Sequence, residues 1–114
     1  MEQITQLYKA LSDETRLRIL MLLVQGELCV CDLMAILNQP QSKISRHLSF
    51  LKKSNLITAQ RVGVWMHYSL KEWTDELYSA QIKCMKEKLS HLNQFSLDLQ
   101  KMHELKRNKM IKCS

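Results

Sequence analysis

Residues 38–57, NQPQSKISRHLSFLKKSNLI, decide how this chain is read. Ile44, Leu48 and Leu51 recur three or four residues apart and so share one side of a helix; Gln41, Ser42, Lys43, Ser45, Arg46 and His47 take the remaining, outward positions. Pro40 suits the first turn of that helix, where its missing N–H costs little. Upstream, Leu33, Ile36 and Leu37 repeat at helical spacing, and Asn38 begins a turn. A short helix, a brief turn and a longer basic helix form a helix-turn-helix, the geometry that presents its second helix to a DNA major groove.

Working outward, Ile4, Leu7, Tyr8 and Leu11 predict a first helix ending before Ser12. Ser12, followed by Asp13, Glu14 and Thr15, reads as the N-cap of a second helix that buries Leu17, Ile19, Leu20, Leu23 and Val24 and closes at Gly26. Downstream, Ile57 to Val62 and Val64 to Leu70 are β-branched and aromatic enough for strands, with Gly63 as the turn of a hairpin, the wing. From Trp73 to about Lys106 there is no Gly or Pro, and Tyr78, Ile82, Met85, Leu89, Leu92, Phe95, Leu99 and Met102 predict one long amphipathic helix. So long a stripe needs a partner, and a second copy of the chain is the economical one. The expected fold is mainly α with a β-hairpin: a winged helix-turn-helix, homodimeric through its terminal helices. Residues 1–107 make the DNA-binding and dimerisation domain and 108–114 a mobile basic tail.

The bulk properties fit one such unit. The 114 residues suffice for one core, and 46% hydrophobic with 25% charged residues is ordinary for a soluble domain. The longest apolar run, near Ile19 to Val24, is far too short to span a bilayer, and the acid-bearing N-terminus lacks the pattern of a secretory signal. A cytoplasmic protein with no membrane partner is expected. Its formal net charge of +6 is concentrated: between Asp32 and Glu72 there is no acid, while Lys43, Arg46, Lys52, Lys53, Arg61 and Lys71 are basic. A segmental excess of this kind suits a polyanion, because clustered Lys and Arg displace counterions from phosphates.

Double-stranded DNA is the partner this pattern fits. Arg46 can grip guanine with two bonds, Lys43 can neutralise a phosphate, and Gln41, Ser42 and Ser45 can bond base edges or phosphates. Arg61, beside Gly63, can reach a neighbouring minor groove. His47 shares the helix, although a histidine there often satisfies only a neighbouring acceptor.

Beside this unit lies ELCVCDL, residues 27–33, with Cys29 and Cys31 one residue apart in a chain of four cysteines. In a reducing compartment, ligation or redox sensing is favoured over structural disulfides. Residues two apart on a regular α-helix point roughly 200° apart, so the thiolates converge only if the helix start is loosened, which would couple binding to the DNA-reading unit. Thiolates select soft metals and metalloids, and a helix start should lower the thiol pKa. A structural zinc site lacks the usual four ligands. The alternative is that both cysteines are small buried apolar residues.

ELCVCDL, followed by KISRHLSFLKKSNLI and a wing ending in WMHYSL, resembles the arsenic-responsive repressors of the ArsR/SmtB family over residues 4 to 72. The resemblance implies a winged-helix dimer that leaves its operator when trivalent arsenic or antimony, the inducer, binds cysteines, with the first two ligands on Cys29 and Cys31 and the operator-reading helix on Gln41 to Leu51. In the best-known form of the motif a third cysteine follows, and here Met34 occupies that position. Cys84 and Cys113 are alternative third ligands; two sulfurs alone would accept a methylated trivalent arsenical as readily as arsenite, or better. The zinc-sensing branch places ligands on the terminal helix, and Asp75, His91 and His103 lack its Asp-x-His pair. The expectation is a repressor with no catalysis and no catalytic cofactor. A thiol-redox repressor of the same fold is the second reading. A small thiol-dependent reductase is the third, poorly supported because neither a phosphate-binding loop nor a Cys-x-x-Cys turn is visible.

Overall fold

The computed structural model describes residues 1–72 and 75–109. Its elements run α1 (Glu2–Leu11), α2 (Glu14–Leu23), β1 (Leu28–Cys29), α3 (Val30–Leu37), α4 (Gln41–Lys53), β2 (Ile57–Val62), β3 (Trp65–Leu70), α5 (Glu76–Leu89) and α6 (Asn93–Lys109). Trp73, Thr74 and residues 110–114, including Cys113, lie outside the described residues.

Local signals explain most boundaries. Asp13, not Ser12, caps α2: its carboxylate accepts the Arg16 N–H at 3.0 Å, while Ser12 closes α1. Two cap oxygens were available in sequence, and the one in extended backbone was used. Asn38 ends α3 in the left-handed region, and Pro40 is the N-cap of α4, one residue before its first turn. β2 and β3 pair from Ile57↔Leu70 to Val62↔Trp65 around a two-residue turn whose Gly63 has φ +65°, a backbone only glycine adopts freely.

A third strand escaped the sequence reading. β1 is two residues long and pairs antiparallel with β3, Leu28↔Tyr68 and Cys29↔His67, giving sheet order β1-β3-β2. No periodicity can announce so short an element; only its partner defines it.

The terminal region requires a larger correction. The single helix expected from Trp73 to Lys106 is two, separated by a turn at Ser90–Leu92, and α6 folds back against α2 and α3 of its own chain. Leu99 and Met102 therefore complete the local core, and Leu92 sits 44% exposed in the turn. The reversal needs no Gly or Pro because it is held from outside: Asp98 of α6, 1% exposed, takes two bonds from the Arg18 guanidinium of α2, each 2.9 Å, and a third from Gln94 at 3.0 Å. That pairing raises the Arg18 pKa further above its ordinary value. The core itself packs α2, α3 and α4 through Ile19, Leu20, Leu33, Ile36, Ile44, Leu48 and Leu51. Among the described residues, no helix is long and apolar enough to cross a membrane.

Candidate sensing and nucleic-acid sites

The cysteines occupy a junction. Cys29 is the last residue of β1 and the N-cap of α3, in extended backbone (φ −89°, ψ 166°), and Cys31 lies in the first turn. Since Cys29 is not helical, the opposed geometry expected of i and i+2 does not arise: the two Sγ atoms lie 3.3 Å apart with the turn intact. Loosening is not required to bring them together, which corrects the sequence expectation. The turn is in fact reinforced by a capping box, in which Cys29 Sγ accepts the Asp32 N–H and the Asp32 carboxylate accepts the Cys29 N–H at 3.0 Å.

Burial overrides the helix start in setting acidity. Cys29 is fully buried, and desolvation pushes its thiol up to about 11; the Asp32 N–H bond opposes this, while the Cys31 thiol and Asp32 carboxylate add to it. The expected lowering does not hold for Cys29. Cys31 is half-buried, so the pair meets solvent on one side only. Cys84 is exposed on α5, and no three His, Cys, Asp or Glu side chains among the described residues lie close enough to hold an ion, so within one chain Cys84 does not join the pair. Met34 packs partly buried against the core. Asp75 is the N-cap of α5, and His91 and His103 are exposed.

α4 presents the basic face. Gln41, Ser42, Lys43 and Arg46 are exposed, Ser45 is half-buried, and Arg61 is exposed on β2. His47 does not join them: its side chain is 16% exposed, with Nδ1 3.8 Å from the Asp13 carboxylate. Burial, with help from Arg16, Lys43 and Arg46, holds its pKa below the ordinary value against the pull of Asp13.

Four supporting residues were missed. Arg16 stacks 4.2 Å from the Phe50 ring of α4 while donating to Ala10 and Lys9 carbonyls at the end of α1. Asp32 caps Cys29, and the Cys-x-x-Asp spacing was a signal in plain view. His67, the cross-strand partner of Cys29, places Nδ1 2.9 Å from Glu27. That pair is invisible until β1 is known.

The sequence of residues 13–59 matches the model of the bacterial regulatory protein, arsR family. The arsenical resistance operon repressor of Escherichia coli is 46% identical over 89 residues, covering 74% of this chain and 76% of that one. This chain belongs to the ArsR family. The family's arsenical resistance operon repressor of Bacillus subtilis is 44% identical over 82 residues, covering 70% of this chain and 78% of that one. Among solved structures, a homodimeric winged helix-turn-helix DNA-binding domain of Mycobacterium bovis, described as a possible ArsR-family regulator, superposes with TM-score 0.65 at 30% identity, covering 81% of this chain and 86% of that one. The family and fold are those of transcriptional regulators, and the chain is a winged helix-turn-helix with a three-stranded sheet.

Proposed function

We propose that this ArsR-family protein is a cytoplasmic repressor that binds operator DNA as a homodimer and releases it when trivalent arsenic or antimony bridges Cys29 and Cys31. The observation that carries this reading is the 3.3 Å spacing of two sulfurs at a buried junction, in a chain whose relatives include arsenical resistance repressors. Arsenite is a neutral trihydroxide. Two thiols condense with it, each sulfur replacing a hydroxyl and each thiol proton leaving in water, so two waters depart and a neutral bis-thiolate arsenic hydroxide remains. Methylarsenite reacts likewise and keeps its methyl group. The exchange is electroneutral and suits a fully buried sulfur. A zinc ion would require both protons to be expelled and further ligands to be found.

Release follows from the double membership of Cys29. It ends a strand paired to the wing and caps the helix that packs on α4. An arsenic atom with its third substituent, added beside a sulfur that has no exposed surface, shifts the first turn of α3 and its packing on α4 while β1 keeps its register with β3. An inducer that favours the displaced state lowers DNA affinity by its differential affinity for the two states. On the DNA side, Lys43 and Arg61 register the phosphates and Arg46, Gln41, Ser42 and Ser45 meet base edges or backbone. His47, turned to Asp13, is left out of that set. Exposed Ile4 and Tyr8 of α1, the latter receiving a bond from Gln81 of α5 at 3.0 Å, form a face suited to the second copy.

The test is fluorescence anisotropy with labelled promoter DNA from upstream of the gene, on wild type and a Cys29→Ser/Cys31→Ser double variant, adding arsenite, methylarsenite, zinc and peroxide in turn. Wild type should release DNA with arsenicals, and the variant should need at least about 100-fold more, since losing a residue that merely supports a ligand costs ~10–100-fold. Release of the variant at wild-type arsenical concentrations refutes the reading. Release of wild type by peroxide alone selects the thiol-redox alternative, which the sulfur contact also permits.

A further inference from the structure

We infer that His67 is a specificity-determining residue of the cysteine site: its Nε2 accepts a hydrogen bond from the hydroxyl that remains on arsenic after arsenite condenses with Cys29 and Cys31. The inference rests on the proposed metalloid site and extends it to the third position on arsenic.

Three observations converge. His67 is directly opposite Cys29 in the β1–β3 pair, and opposite residues put their side chains on the same face of the sheet with Cβ atoms ~4.5–5.5 Å apart. Leu28 and Tyr68, the neighbouring pair, turn to the core, so Cys29 and His67 share the other face. Second, Nδ1 lies 2.9 Å from the Glu27 carboxylate, which can only accept; in the neutral ring the proton therefore sits on Nδ1 and the lone pair on Nε2. A carboxylate that fixes the tautomer and orientation of a histidine is the arrangement found behind histidines that serve a bound metal. Third, Nε2 is shielded from solvent and has no hydrogen-bond partner among the described residues. Buried polar atoms are rarely left so, which points to a group that arrives later.

The imidazole does not act as a third ligand, since no three such side chains among the described residues are close enough to share an ion. The hydroxyl that stays on arsenic would extend one bond beyond it and carry a proton for Nε2 to accept. Methylarsenite ends in a methyl group and has no proton to offer. His67 thus tilts toward arsenite a site that two sulfurs alone would open equally to the methylated species.

Isothermal titration of the full-length protein with arsenite and with methylarsenite tests this for wild type, His67→Asn, which keeps a group near Nδ1 but loses Nε2, and His67→Gln, whose amide oxygen reaches the Nε2 position. His67→Asn should weaken arsenite about tenfold and leave methylarsenite within about twofold, with partial recovery in His67→Gln. Equal loss of both ligands, or loss of neither, overturns the inference. If His67→Asn does not fold, the same ratio is read on Glu27→Ala, which removes the acceptor that orients the ring, and an unchanged ratio there overturns it as well. Wild type that binds neither arsenical sinks the proposed function itself; wild type that binds both, with an unaltered ratio in the variants, sinks only the role of His67.

Discussion

The two helices of the helix-turn-helix begin in opposite ways. α3 starts from a strand: Cys29 is fully buried, bonded to Asp32 through a capping box and paired across to His67. α4 starts from Pro40, with no side-chain cap and with Gln41, Ser42 and Lys43 open to solvent. The first start is crowded and internally satisfied, so a small reagent can enter only by rearranging it. The second leaves its basic side chains Lys43 and Arg46 exposed, as a surface awaiting a polyanion must. The proposed sensing pair thus sits where packing is tight and the proposed reading face where it is absent, with the eight residues of α3 running from the first to the second.

Breaking the reading end should give the larger effect. Arg46→Ala is expected to cost ~1–3 kcal/mol of specific binding and to relax base preference at one position, if its guanidinium meets guanine as proposed. Lys43→Ala should weaken all sequences alike and reduce the salt slope by about one ion. Anisotropy titrations against operator and scrambled duplexes at several salt concentrations separate the two. At the sensing end, Asp32→Ala leaves the Cys29 N–H without its carboxylate and should cost ~0.5–2 kcal/mol of stability, read by denaturant unfolding.

The smallest effect concerns His47, which ties α4 to the start of α2 through Asp13. Because its folded pKa is depressed, the unfolded chain takes up the proton first; stability is complete above the ordinary value of 6.5 and declines as pH falls through and below it. Thermal melts of His47→Gln between pH 7 and 5 should decline less than those of wild type, and an identical decline would remove His47 as a cause.

Much of this contrast was legible in the residues. Ile44, Leu48 and Leu51 fixed α4 and its outward face because an exposed helix with one buried side must show that period. Gly63 announced the wing for an equally local reason. What failed depended on distant partners. Ser90–Leu92 carries no breaker, and the chain reverses there because Arg18, 80 residues away in sequence, holds Asp98. Cys29 and Cys31 were placed on one helix, where they diverge, because β1 exists only through β3. His47 was grouped by position with the DNA face, and only the fold shows that its side chain meets Asp13.

The double membership of Cys29 also bears on how such a detector can be moved between proteins. A segment that is half strand and half helix cap is no portable cassette. Transplanting residues 27–33 alone into another winged helix would carry the sulfurs and β1 but not the β3 residues that seat them, and the recipient would gain a thiol pair without its setting.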